Sequence, residues 1–284
     1  MFLKETAKEI IKKGNYMFRF STRHMRVLPD FLIIGGQKCG TSSFYRNLVK
    51  HPSIVPAFDK EIYFFNGKFH KGINWYRTHF PLLPYKYYVT KICRQKFLTG
   101  EATPGYIFHP HVPKRVSEVL PHVKIIVLLR NPVDRAYSHY HHEVRKKRET
   151  LSFEDAIKTE EERLRGEFEK LIKNERYKSF NYIHYSYLAR GIYVDQLQRW
   201  NNFFKKEQIL ILKSEDFFRD TQTSFDQALQ FLGLPGWQVN DFRKAHVGYY
   251  PKMDTAVRNR LLNYFKPHNH KLYEYLGINF GWDE

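Results

Sequence analysis

The sequence predicts an α/β fold, a three-layer sandwich in which a central, mostly parallel sheet is flanked by helices. Three observations carry this. Short apolar runs, too short to be helices, recur along the chain and are bounded by glycine, proline or polar turns. Longer segments with helical spacing separate them, and strands alternating with helices make a parallel sheet covered on both faces. The first apolar run ends in glycines that open directly onto a helix pattern, as at the ligand-bearing edge of such sheets.

The elements follow in order. Residues 29–36 form a buried strand by pattern, and a helix is expected over 41–50, stopped by His51-Pro52. Further β-type runs lie at 62–65, 96–100, 124–129 and 208–212. Helical patterns cover 110–120, 132–148, 153–173, 193–204, 221–232 and 255–275. The highly charged stretch 145–178 reads as exposed helices laid over the sheet. No internal repeat or low-complexity segment is visible, so residues 29–284 are expected to form one domain behind a basic leader helix at 1–28.

Composition narrows the class. With 284 residues and 42% hydrophobic content the chain can bury a proper core. Lys plus Arg number 47 against 29 acids, a formal charge of +18, which predicts anionic company: nucleic acid, an acidic membrane surface or a polyanionic substrate. No Cys/His spacing reads as a zinc site and no nucleic-acid motif is present, so no nucleic-acid partner is expected. Cys39 and Cys93 are the only cysteines, which excludes a disulfide framework. No run reaches the roughly 18–20 apolar residues of a membrane span. The basic segment 1–26 lacks the apolar core of a signal peptide; it is read as a solvated leader helix or a peripheral membrane contact, and the cytoplasm as the compartment.

Two anion sites stand out. Gly35-Gly36-Gln37-Lys38-Cys39-Gly40-Thr41-Ser42-Ser43 joins the first strand to the first helix. Glycines let the backbone approach a ligand, free amides at a helix start favour anions, and Lys38 with the hydroxyls of Thr41, Ser42 and Ser43 adds charge and donors. A nucleoside triphosphatase loop needs Lys then Ser/Thr directly after its last glycine. Here Thr41 follows Gly40 and the lysine comes earlier, an arrangement that suits a phosphate or phosphosulfate held without metal. The second site is Arg130, delivered at the end of 124–129. Asn131 caps the next helix and Pro132 opens it, with Ser138 and then His142 one turn further along the same face. Two such sites at strand ends suit a nucleotide carrying two separate phosphate groups. Of the clustered His139, His141 and His142, adjacent helix positions cannot converge on one ion; only His142 is a candidate, and no metal site is expected.

The Lys38 loop, the stretch Lys60-Glu61-Ile62-Tyr63-Phe64-Phe65, the run His70-Lys71-Gly72-Ile73-Asn74-Trp75-Tyr76 and Arg130…Ser138 together resemble the heparan sulfate sulfotransferases. The likeness continues through Gly191-Ile192-Tyr193 and Tyr250-Pro251-Lys252-Met253-Asp254-Thr255, with the N-sulfotransferase branch most similar. The resemblance implies a P-loop-like α/β fold, 3′-phosphoadenosine 5′-phosphosulfate as donor, and a glycan, anionic or neutral, as acceptor. By it, Gln37, Lys38, Gly40, Thr41 and Ser42 hold the 5′-phosphosulfate, and Arg130 and Ser138 bind the 3′-phosphate. Glu61 is the catalytic base, Lys38 also stabilises the leaving group, and His142 lies near the acceptor. Two departures bear on the acceptor. Glu101-Ala102-Thr103-Pro104 lacks the family's second active-site lysine. The family's disulfide-closed loop is shortened to 243–250, where Gly248 and Tyr250 would approach the donor. Two other readings remain at this stage: a nucleotide kinase or triphosphatase, and a non-catalytic polyanion-binding protein explained by charge alone.

Overall fold

The computed structural model describes residues 14–239, 242 and 250–283. Five parallel strands form one sheet: β1 (Phe31–Gly35), β2 (Ile54–Pro56), β3 (Leu98–Ala102), β4 (Lys124–Leu129) and β5 (Ile209–Lys213), in the order β2-β3-β1-β4-β5. The principal helices are α1 (Thr41–Leu48), α2 (Val112–Val119), α3 (Pro132–Arg145), α4 (Tyr193–Asn201), α5 (Ser214–Arg219), α6 (Thr221–Leu232) and α7 (Thr255–Leu276).

Side-chain alternation along the central strands divides the core into two layers. Leu32, Ile34, Ile125 and Val127 pack on one face with Tyr106 and Trp200. Phe31, Ile33, Ile126 and Leu128 pack on the other with Phe44, Phe217 and Phe225, drawn from α1, α5 and α6. This explains why both strands read as unbroken apolar runs: each is buried on both sides. A third cluster joins α3 to α7 through Val133, Ala136, Val257, Leu261 and Phe265. α3 starts as the sequence predicts, with the Asn131 side chain accepting from the Val133 amide and Pro132 in the first turn.

Two expectations need correction, and one strand was not foreseen. Residues 62–65 are not a strand: Tyr63 takes a left-handed conformation (φ 57°) and Phe64–Lys68 form a single π turn. The amides of Phe64 and Phe65 bond the Tyr106 hydroxyl instead of a neighbouring strand, and both rings enter one aromatic cluster, which two successive strand residues could not do. The pattern over 153–173 is three short helices, Phe153–Lys158, Glu160–Leu164 and Glu167–Lys173, the last break made at Gly166 with φ 72°. β2 had no counterpart in the sequence reading; it is three residues long, at the sheet edge, and ends in proline.

In the described part of the leader, residues 14–21 are helical and rest on the body of the protein. Arg19 donates to the carbonyl of Thr78 (2.9 Å), the buried Arg26 donates to that of Phe80 (2.7 Å), and Arg26 pairs with Leu82 in an isolated antiparallel bridge. Among the described residues no helix is long and apolar enough to cross a membrane.

Candidate functional site

A cleft of about 1130 Å³ opens at the carboxyl ends of β1, β3 and β4. Of the residues singled out in the sequence, Gln37, Lys38, Gly40, Thr41, Ser42, Glu61, Arg130, Ser138, His142 and Tyr250 all line it. Gly248 lies outside the described residues.

The loop after β1 forms the floor. Gly40 caps α1 at φ 85°, a conformation that only glycine adopts without strain, and an added Cβ would also meet the Phe218 ring at 2.9 Å. Lys38 is likewise left-handed (φ 70°), and its carbonyl accepts from Arg130 (3.3 Å), which ties this loop to the end of β4. Burial and the nearby charges of Arg145 and Arg130 lower the Lys38 ammonium to about 8. A cation so destabilised, among other cations at a helix start, is a site that an anion would relieve. Gln37 adds a buried side-chain oxygen without a partner, which an amide flip would turn into a donor.

Glu61 lines the cleft beside this loop. Lys60 bridges the Ser42 hydroxyl and Glu61 Oε1, both at 2.5 Å, and the Tyr63 hydroxyl donates to Glu61 Oε2. The segment is held from β3: the Ala102 amide donates to the Lys60 carbonyl (3.0 Å), and the Tyr63 amide reaches the Thr103 hydroxyl (3.4 Å). Behind it sits Glu101, wholly buried, accepting from Tyr76 (2.8 Å), Tyr106 (2.9 Å), Thr103 (2.5 Å) and the Ile62 amide (3.4 Å). Burial raises its carboxyl above the usual range against the pull of those donors. Glu101, which directly precedes the position where the family's second lysine is missing, is thus part of the scaffold that holds Glu61.

The second anion site is built on α3. Arg130 leads into it, and Ser138 and His142 face the cleft. The three clustered histidines do diverge: His139 is wholly buried, His141 stacks on Tyr250 (4.5 Å), and His142 borders the cavity. Burial and then the Lys38 charge lower His142, which keeps it neutral near pH 7. Among the described residues no group of three His, Cys, Asp or Glu is placed to hold a metal ion.

Several cleft residues escaped the sequence reading. Glu143 is buried and gathers Arg148 (3.1 Å), His184 (3.1 Å), His139 (3.6 Å) and His142 (3.9 Å). Burial pushes its carboxyl up, but these partners outweigh burial and hold it well below the carboxylate range. Arg145, Lys146, Arg148 and Lys178 make that end of the cleft cationic. The run His141-His142-Glu143 on a helix was the available signal for Glu143; His184 and Lys178 arrive from a distant segment that has no motif. Glu215, at the start of α5, accepts from the Asn131 amide (2.8 Å) and so steadies the Arg130 turn.

The sequence profile of the sulfotransferase domain family matches residues 28–271. A membrane-associated sulfotransferase of Dictyostelium discoideum, kil1, is 31% identical over 90% of this chain and 66% of its own length. A mouse bifunctional heparan sulfate N-deacetylase/N-sulfotransferase 4 is 31% identical over 86% of this chain but only 29% of its own. This chain therefore spans just under two thirds of the first relative and less than a third of the second. The crystal structure of a sulfotransferase from Alicyclobacillus acidocaldarius superposes with a TM-score of 0.69 at 32% identity, covering 91% of this chain and all of the other.

Proposed function

As a member of the sulfotransferase domain family, the chain is an enzyme of sulfuryl transfer in the reading we propose, with 3′-phosphoadenosine 5′-phosphosulfate as donor and a carbohydrate as acceptor. The observation that carries the proposal is the convergence on one cleft of the Lys38 loop, the Arg130–Ser138 turn and Glu61. When bound, the donor supplies the sulfuryl group; the residues do the rest. The loop amides, Lys38 and the Thr41 and Ser42 hydroxyls hold the 5′ end, while Arg130 and Ser138 hold the 3′-phosphate. The lowered ammonium of Lys38 fits this role, since a doubly charged ligand restores what burial and two arginines take away.

Sulfuryl transfer, like phosphoryl transfer, asks for an in-line nucleophile and stabilised charge more than for covalent chemistry. Glu61 accepts the proton of the acceptor hydroxyl or amine as that atom attacks sulfur. Lys38 stabilises the charge left on the departing phosphate oxygen. A glycan acceptor is favoured by the mouse relative, whose name gives heparan sulfate as its substrate, and by the cationic rim of Arg145, Lys146, Arg148 and Lys178.

Glu61→Gln tests the assignment, because it keeps the shape of the group but cannot accept a proton. Donor affinity should hold while single-turnover transfer to a heparan-type oligosaccharide falls by roughly 10²–10⁴-fold. Transfer at the wild-type rate per folded molecule removes Glu61 as base. Tighter calorimetric binding of ATP than of 3′-phosphoadenosine 5′-phosphate removes the donor assignment.

A further inference from the structure

Away from the cleft, two segments that meet through residues 26–30 and 81–86 each expose large apolar side chains. In the leader, Met17 is 71% exposed, and Phe18 and Phe20 are also exposed. In the segment that follows Leu82, Leu83–Tyr87 is an α-helix continued by a π turn at Tyr88–Ile92; Tyr87 is 60% and Ile92 62% exposed, with Leu83 beside them in sequence. The two segments are fastened to each other: Arg26 bridges to Leu82, the Val27 amide donates to the Pro81 carbonyl (3.0 Å), and Lys86 pairs with Asp30 (2.9 Å).

Their charge is one-sided. Residues 14–29 contain three arginines and no acid, and residues 62–100 contain seven lysines and arginines and no acid. Lys91 and Arg94 are exposed immediately beside Ile92. A monomer seldom shows so many large apolar side chains in one region without a use for them.

We propose that this face, formed jointly by the leader helix and the 83–94 segment, docks the protein on the surface of an anionic lipid bilayer. Tyrosine and phenylalanine rings suit the headgroup boundary, aliphatic tips reach the acyl layer, and the surplus of lysine and arginine meets negative lipids. The other occupants fit less well. A second copy docked symmetrically would bring two predominantly cationic faces together. The exposed rings would stack on bases, but Leu83, Ile92 and Met17 gain nothing from a nucleic acid, whereas a bilayer buries them. The inference is independent of the donor, the acceptor and the base assigned above.

The test is co-sedimentation of the full chain with vesicles of phosphatidylcholine alone and of phosphatidylcholine with phosphatidylserine. Binding is expected only with the anionic vesicles, and it should weaken as salt rises. The triple variant Met17→Ser/Tyr87→Ser/Ile92→Ser should bind these vesicles at least about tenfold more weakly, because three exposed apolar side chains are lost. Lys91→Glu/Arg94→Glu should lose most binding at low salt. Neither variant touches the cleft, so nucleotide affinity and melting temperature should match wild type and report that each is folded. Equal sedimentation of wild type and both variants, or no binding to anionic vesicles, overturns the proposal. A lipid-free dimer that the triple variant dissolves would also overturn it, in favour of a second copy.

Discussion

Replacing Glu101 tests how the cleft is supported. In wild type this buried carboxylate accepts from three hydroxyls, those of Tyr76, Tyr106 and Thr103, and from the more distant Ile62 amide. Glu101→Ala strands all three hydroxyl donors in the core. A buried donor left unsatisfied costs about 1–3 kcal/mol, but rotation of the hydroxyls and relief of the burial that raises the Glu101 carboxyl offset part of this. A net loss of about 3 kcal/mol follows, or about 6–12 °C in melting temperature. Glu101→Gln keeps one acceptor oxygen and should lose about half as much. Because the folded protein holds the Glu101 proton more tightly than the unfolded chain, this contribution is full at low pH and is lost as pH rises through the folded value. The gap between wild type and the Gln variant should therefore narrow with rising pH. Transfer should fall as well, since the backbone around Glu61 hangs from β3 and Thr103. Thermal melting across pH, beside single-turnover transfer, measures both. If Glu101→Ala melts within a degree or so of wild type, the hub does not hold the site and the reasoning fails.

Other outcomes follow from the same geometry. With Lys38 lowered to about 8, binding of a phosphorylated nucleotide should take up a proton near that pH and weaken as pH rises past it. Calorimetric heats in buffers of different ionisation enthalpy should then diverge near pH 8, and converge in Lys38→Ala; identical heats for wild type would refute this. Arg130→Ala should weaken 3′-phosphoadenosine 5′-phosphate by about tenfold or more while sparing the analogue without the 3′-phosphate, as competition binding would report. Gly40→Ala should cost about 1–2 kcal/mol from its left-handed backbone alone, read by chemical denaturation.

Those features of the chain that depend on local pattern were legible before the fold was seen. β4 matches its expected range at 124–129 and α6 its range at 221–232, because an apolar run and a capped amphipathic stretch need only their neighbours. The loop from Gly35 to Ser43 announced itself through glycines, one lysine and hydroxyls at a helix start. The segment at Phe64 did not, since aromatic runs suit strand and helix alike and the Tyr106 hydroxyl, far along the chain, decides the matter. The role of Glu101, and that of Glu143 beyond its place in the run His141-His142-Glu143, stayed hidden for a related reason. A buried carboxylate is defined by the donors that surround it, and Tyr76, Tyr106 and His184 come from elements that only the fold brings near.

The bridge from Lys60 to both Ser42 and Glu61 makes the resting site self-occupied. With Lys60 on one oxygen and Tyr63 on the other, each carboxylate oxygen of Glu61 already accepts a hydrogen bond. A nucleotide phosphate beside Ser42 that draws the Lys60 ammonium to itself would loosen Lys60 from the carboxylate. Occupancy beside Ser42 would then release proton-accepting capacity at Glu61. Such a hand-over would set an order of events, donor before acceptor, through the single ammonium group that touches both Ser42 and Glu61.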